Sequence, residues 1–391
     1  MRVTVFDPGS FTPHYDADLC QSLAGLGLSV ELVASPPLFE SAEPSDSFQT
    51  LNLFFRFTGG AAQPFLRRHA RIRQALKSLS YPFSLWRAWR LLKGRQPGLL
   101  HVQWALLPVL DVLLFRGLRA RGWRVVYTAH DGTFDLARPW RRRGLRRVLS
   151  QTDAVIAHTS ELAELLRRES GGGTPEIWKI PLGACTFPLL PGLERERARR
   201  VLGLAPGGPL LLFFGMIKPY KGLDYLLRAW PRVLREFPEA RLLIAGEAIV
   251  PFAPFESLIE ALNIGDSVIR RLGYVPRTQA QYYFCASDAV VLPYVEITAS
   301  GLVPVAYRYS RPVIATSIGG LTEAVTDNET GILAAPRSEQ ALAEAICRGL
   351  RDPSMLARMG AAAYHRSERD FNWNEAAQRT LELYRHVDSR A

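Results

Sequence analysis

The stretch FFGMIKPYKGLDYLLRAW, Phe213 to Trp230, decides how this chain is read. It begins as an apolar strand, breaks at Gly215 and restarts as a helix, and the break holds two cations, Lys218 and Lys221. At the carboxyl end of a parallel strand, a glycine lets the backbone approach a ligand closely. The helix that follows offers unpaired N–H groups to an anion. Two lysines add point charges beside it, which suits a diphosphate. A plain strand–turn–helix junction with surface lysines has the same local pattern, so the surroundings must decide.

Apolar, β-rich runs recur on both sides of this stretch. The first half holds RVTVFD, SVELVA, LLHVQW, RVVYTAHD, AVIAHT and IWKIPLG, separated by helix-like segments such as DADLCQSLAGLG and ELAELLRRES. Strands that are apolar throughout and alternate with helices indicate a parallel sheet covered on both faces. A segment rich in proline, glycine and charge, Pro188 to Gly208, reads as a junction. The alternation then restarts with PLLLFFG, ARLLIAG, VIRRLGYV, AVVLPY, PVIAT and GILAAP. The expected fold class is α/β: two doubly wound, Rossmann-like domains facing each other across a cleft. Residues 1–190 form the first and 191–370 the second. A final helix in 371–391 packs back toward the N-terminal domain. A length of 391 residues also exceeds one ordinary core.

Composition narrows the class. Apolar residues make up 48% and charged residues 22%, as in globular proteins. Cys20, Cys185, Cys285 and Cys347 are scattered without paired spacing, which points to a reducing compartment and no structural zinc site. The N-terminus lacks the apolar core of a signal peptide. The longest apolar run, Ala105 to Phe115, is too short to span a bilayer and contains a proline and an aspartate. A soluble, cytoplasmic protein is expected.

The net charge of +11 is concentrated in the first half. Residues 51–150 hold 20 Lys and Arg against 3 Asp and Glu. Such a face attracts phosphate-rich partners, or it is simply a solvated set of helices. Nucleic acid is not expected, because no nucleic-acid module is present and Trp86, Trp89, Trp123 and Trp140 fall at helical or core spacings. Peripheral contact with the anionic inner face of a membrane remains, through WRAWRLLK (Trp86 to Lys93) and RPWRRRGLRR (Arg138 to Arg147). Against it, tryptophans on a helix beside a buried strand more often pack inward.

The segment from Leu272 to Pro336, with LGYV, DAVVLP, TASGLV and PVIATSIGGLTE in that order, resembles the retaining glycosyltransferases of family four, which have the GT-B fold. The resemblance is close over Gly215 to Pro336 and looser over RVTVFDPGS, HVQW, VVYTAHD and AVIAHTS. It implies a hexosyltransferase that moves a sugar from a nucleotide diphosphate donor to the hydroxyl of a small molecule, a glycan or a lipid-linked acceptor. It further implies retention of configuration, with no metal and no cofactor. By the same resemblance, Lys218, Lys221 and the amides of Ser300, Gly301 and Leu302 stabilise charge on the leaving diphosphate. Gly215, Glu296, Thr298 and Glu323 are candidate donor contacts, although Glu323 also suits its helix's first turn. His130 of YTAHD matches the histidine that contacts the donor sugar. Gly9 and Ser10, in the loop DPGSFTPHY, face the acceptor.

Two departures stand out. Met216 occupies the usual arginine position after the glycine, which makes Lys218 the substitute cation. Ile297 and Val305 stand where the family has its Glu-x7-Glu pair, beside Glu296, in a loop of the Ser–Gly type. His158 reads as structural and His101 as core. Asp16-Ala17-Asp18 opens the first helix, where carboxylates complement the dipole, and is not read as a metal site. Two rival classes are a nucleotide-sugar epimerase of the same fold and a non-catalytic binder of anionic surfaces.

Overall fold

The computed structural model describes residues 1–37, 45–58, 63–130, 138–171, 175–184 and 187–390. Asp131 of VVYTAHD and Cys185 lie outside the described residues. The chain forms two compact units, Met1–Gly183 with Asn372–Ala391, and Ala184–Phe371.

Seven parallel strands form the sheet of the first unit: β1 (Arg2–Asp7), β2 (Ser29–Ala34), β3 (Gln49–Asn52), β4 (Leu99–Val102), β5 (Arg124–Ala129), β6 (Ala154–Ala157) and β7 (Glu176–Lys179). Their order is β3-β2-β1-β4-β5-β6-β7. Six more form the second sheet: β8 (Leu210–Phe214), β9 (Arg241–Gly246), β10 (Val268–Leu272), β11 (Ala289–Leu292), β12 (Val313–Thr316) and β13 (Gly331–Ala334), in the order β10-β9-β8-β11-β12-β13. Each order reverses once, between β1 and β4 and between β8 and β11. Loops at the carboxyl ends of those strands diverge there and leave room for a ligand.

The apolar runs pack on both faces, as a doubly covered sheet requires. In β8, Leu211 and Phe213 enter one core with Leu226, Leu227 and Trp230 of the helix Leu223–Glu236. Leu210, Leu212 and Phe214 enter the opposite core with Phe284 and Val303. Burying each such side chain contributes about 1.5–3 kcal/mol, so neither face is dispensable. Trp230 is fully buried and its indole Nε1 donates to Ser267 Oγ at 2.9 Å.

The structure adds to the sequence reading at three points. The edge strand β3 was not foreseen, because QTLN is short and mostly exposed, with no apolar run to mark it. The presumed junction contains a helix, Arg195–Val201, that belongs to the second unit. Its Arg199 is buried and donates to the carbonyls of Ala286 and Gly208 (both 3.0 Å) and of Gly207, with Asp288 3.4 Å away. Third, the tryptophans do not all pack inward. Trp123 is buried, whereas Trp86 and Trp140 are 47% and 63% exposed.

The helix Trp373–Asp388 belongs to the first unit and lies against the helix Pro13–Gly25. Trp373 packs on Tyr15 (ring centroids 4.9 Å apart) and Tyr384 reaches His101 Nδ1 at 2.5 Å. Among the described residues, no helix is long and apolar enough to cross a membrane.

Candidate active site

In the second unit, the candidate residues gather where the loops after β8 and β11 leave adjacent strands. Gly215 adopts φ +93°, and its N–H donates to Ala245 O at 2.9 Å, carrying the β8–β9 pairing one residue past the strand. Ile217 N–H donates to Glu247 O at 2.8 Å and continues it. This pairing fixes the path of the loop before the lysines are reached. At Gly222 the chain takes φ +65°, and a Cβ there would lie 1.9 Å from Pro293 O, a position that excludes every other residue. The two loops are therefore in backbone contact, and Val295 N–H donates to Tyr220 O at 2.8 Å.

Lys221 lies inside this junction. Its Nζ is 5.6 Å from the Tyr294 ring centroid, and a Cβ on Gly215 would lie 3.1 Å from it. Burial, and secondarily the charge of Lys218, lower its pKa from 10.5 to about 8. The ammonium is thus mostly charged at pH 7 and is held without a carboxylate within ion-pair distance among the described residues. Lys218 is half-buried, its Nζ 5.8 Å from the Tyr220 ring, while Met216 points outward. The buried Tyr294, which sequence reading did not single out, sets its ring edge-on to that of Tyr220 with centroids 6.0 Å apart and so links the two loops.

Glu296 is exposed at the loop's rim; Thr298 and Ser300 are half-buried. Leu302 N–H already points to Ser300 Oγ at 3.4 Å, and Gly301 is exposed ahead of the seven-residue helix Leu302–Arg308. Val305, at the position of the family's second glutamate, is buried among Val303 and Tyr307 and presents no polar group. Glu323 is half-buried on the helix Gly319–Ala324 after β12, and its carbonyl accepts from Arg366 at 2.6 Å.

The first unit builds a second cluster from the loops after β1, β4 and β5. His130 Nε2 lies 2.6 Å from Gln103 Oε1, and its ring stacks on Trp104 at 5.2 Å. An amide oxygen only accepts, so Nε2 carries the proton and Nδ1 keeps a lone pair. Burial, then His158 and His101, push the His130 pKa well below its ordinary value, so the ring is neutral at pH 7. Gln103 Nε2 in turn reaches His101 Nε2 at 3.3 Å, where Thr128 Oγ1 also approaches to 2.6 Å. Burial lowers His101 to about 3 and His158 to about 4. His158 Nδ1 donates to Ile180 O at 2.9 Å. Gln103 and Trp104 carried a signal in the sequence, since HVQW ends the strand beside the sheet's reversal.

Two acceptor-loop residues have other engagements. Ser10, at φ +46°, donates its hydroxyl to Ser35 O at 2.5 Å, tying the loop after β1 to the end of β2. The amide of Gly9 donates to Asp7 Oδ1 at 3.1 Å. Asp16 stands in the first turn of the helix Pro13–Gly25, as expected from sequence, but the sequence did not show its surroundings. It is buried against Asp7, with Thr12 Oγ1 3.4 Å away. Burial, and then the charge of Asp7, raise its pKa, and burial also raises that of Asp7. Trp104 Nε1 donates to Thr12 Oγ1 at 3.2 Å and links the pair to the stack under His130.

The comparisons with known proteins agree with this architecture. The family described as "Glycosyltransferase Family 4" matches residues 15–184, and "Glycosyl transferases group 1" matches residues 194–366. The D-inositol 3-phosphate glycosyltransferase of Nocardia farcinica is 33% identical over 281 residues, covering 67% of this chain and 61% of that protein. The enzyme of that name from Streptomyces avermitilis is 34% identical over 251 residues, covering 62% of this chain and 53% of its own length. The chain thus spans little more than half the length of these relatives. Among solved structures, sucrose-phosphate synthase of Thermosynechococcus elongatus superposes with a TM-score of 0.75 at 22% identity, covering 100% of both chains. HepE of Anabaena in complex with UDP-glucose superposes with a TM-score of 0.72 at 16% identity, covering 99% of this chain and 100% of its own. At those identities the likeness establishes the fold. With the two family matches laid end to end along the two doubly wound units, the chain belongs to the family-four type of GT-B glycosyltransferases.

Proposed function

We propose that the chain transfers a sugar from a nucleoside diphosphate donor to an acceptor hydroxyl, with retention of configuration and without a metal or other cofactor. The observation that carries this reading is the pair Lys218 and Lys221 on the loop after β8, beside the sheet's reversal. A diphosphate leaving group gains one unit of negative charge, spread over the oxygens of its terminal phosphate, as the glycosidic bond breaks, and preformed cations stabilise that change. Lys221 is suited to it because its charge is only partly solvated before the diphosphate arrives. In this reading Gly215 gives the phosphates access to the backbone, and Thr298, Ser300, Gly301, Leu302 and Glu323 contact the rest of the donor. Glu296 lies nearest the missing glutamate and takes part of its role. The neutral His130 offers Nδ1 to a donor-sugar hydroxyl, and the loop with Gly9 and Ser10 meets the acceptor. The deprotonated leaving diphosphate accepts the acceptor's proton on the same face. Cytoplasmic placement belongs to the same proposal, supported by the buried, free thiols of Cys20, Cys285 and Cys347.

The donor base follows from thermal stabilisation by a panel of nucleoside diphosphates. HepE was solved with UDP and with UDP-glucose, which puts UDP first in the panel. The relatives named D-inositol 3-phosphate glycosyltransferase put inositol phosphates first among acceptors. Transfer with a retained anomeric configuration is the expected outcome. An epimer formed from the sugar nucleotide alone replaces the reading with epimerisation. Binding with no turnover replaces it with a non-catalytic binder, and the lack of any stabilising nucleotide dismisses the lysine loop as a phosphate site.

A further inference from the structure

The helix Ala70–Lys93 has two apolar stripes on opposite sides. Tyr81, Leu85, Ala88 and Leu92 recur at helical spacing and are buried in the core of the first unit. Ile72, Leu76, Leu79, Phe83 and Trp86 recur at the same spacing, displaced by two positions, and all are exposed. Two positions are about 200° around a helix, so the second stripe faces directly away from the core. Leu79 is 81% and Phe83 61% exposed, and Phe83 stacks on Trp86 in solvent with ring centroids 5.7 Å apart. A continuous apolar stripe of this kind on an outer helix marks a contact surface.

The charge on this helix selects the occupant. Its cations include Arg87, Arg90 and Lys93, it has no Asp or Glu, and residues 51–100 hold 10 Lys and Arg with no carboxylate at all. A second copy of the helix would set cations against cations with nothing to answer them. An anionic bilayer answers both features at once. Its acyl boundary takes the leucines and aromatic rings, and its phosphates take the flanking guanidinium and ammonium groups. The neighbouring helix Pro108–Arg119 widens the surface with Leu113, 62% exposed. It packs so closely that a Cβ on Gly117 would lie 3.1 Å from Trp89 Nε1. The arginine-dense segment singled out from sequence is less available, since Arg142 and Arg146 pair with Glu169 at 2.8 and 3.0 Å. We infer that helix Ala70–Lys93 lies in the interface of an anionic phospholipid bilayer, with Leu79, Phe83 and Trp86 inserted and the arginines at the headgroups.

Co-sedimentation of the full chain with vesicles tests this, using phosphatidylcholine alone and an equimolar mixture with phosphatidylglycerol, at low and high salt. Binding is expected to the anionic vesicles only and to fall with salt. Leu79→Glu with Phe83→Glu, at exposed positions, lowers it by about tenfold or more, and so does Arg87→Glu with Arg90→Glu. Arg141→Glu with Arg143→Glu changes it by less than about threefold. Circular dichroism melting confirms that each variant folds. No sedimentation with either vesicle overturns the proposal, as does unchanged binding of the Leu79/Phe83 variant. A dimer in size-exclusion chromatography that this variant dissolves overturns it too, in favour of a self-interface.

Discussion

Replacing Lys221 by methionine removes the ammonium and keeps the length of its apolar stem. In the folded chain the lysine titrates at about 8 rather than 10.5, chiefly because it is buried. At 1.36 kcal/mol per pH unit, that difference corresponds to about 3 kcal/mol spent on keeping the group charged. Solvent screening at a half-buried side chain reduces it to about 1–3 kcal/mol. The folded pKa is depressed, so the cost is present in full below pH 8, where both states are protonated. It is relieved between pH 8 and 10.5, where the unfolded chain binds the proton and the folded chain does not. Lys221→Met is therefore expected to stabilise the second unit at pH 7, raising its melting transition by about 2–10 °C. The gain should vanish toward pH 10.5. The same variant loses at least about tenfold in turnover, or about 1.4 kcal/mol, with loss of the contact to the leaving group. In the unaltered enzyme kcat/KM falls above pH 8 as the ammonium deprotonates. Scanning calorimetry at pH 7 and pH 10, with turnover measured alongside, checks each part. A melting point lowered at pH 7 refutes the strained cation. Near-normal turnover in both Lys221→Met and Lys218→Ala refutes the phosphate site.

Three further outcomes are expected. His130→Ala should depress kcat more than donor affinity, because its hydrogen bond tightens as the sugar flattens toward an oxocarbenium-like state; an equal loss confined to binding makes it an ordinary positioning contact. Activity should survive EDTA, and a loss restored by magnesium or manganese would overturn the metal-independent proposal. Asp16 and Asp7 both have raised pKa values in the fold, so the chain loses stability as pH rises above the ordinary carboxylate range. Asp16→Asn, which removes one buried negative charge and keeps the side chain's shape, should therefore be at least as stable as the native chain at pH 8. Asp16→Ala should be less stable by about 1–3 kcal/mol, read by thermal or urea unfolding.

The fold was legible wherever burial on both sides forced strands to be apolar throughout. PLLLFFG and AVVLPY could not be surface segments, and their order gives the doubly wound sheets. The edge strand Gln49–Asn52 escaped because one flank meets solvent and demands no pattern. The helix Arg195–Val201 escaped for the opposite reason: RERARRV has the composition of a linker, and the burial of Arg199 arises only from carbonyls 8 to 87 positions away along the chain. At the candidate site, glycines and lysines announced themselves because loops at strand ends have narrow requirements. Gln103 was marked only by its place in HVQW, and Tyr294 and the Asp7–Asp16 pair were not marked at all, since their roles depend on partners from other strands. Ser10 shows the converse limit, a residue of the right type in the right loop whose hydroxyl is taken by Ser35 O.

The helix Trp373–Asp388 has a consequence for how the chain is made. Because it belongs with residues 1–183, the unit begun first stays unfinished until the second has been made. Until residues 373–388 leave the ribosome, His101 lacks its phenol partner, Tyr15 lacks the indole of Trp373, and the space that Trp373 fills beside Gly183 stands open. The second unit, contiguous from 184 to 371, has no such wait and folds as an insertion within an incomplete host. Truncation after residue 371 would thus damage the first-made half, and an excised N-terminal unit would need residues 372–390 grafted back to stand alone.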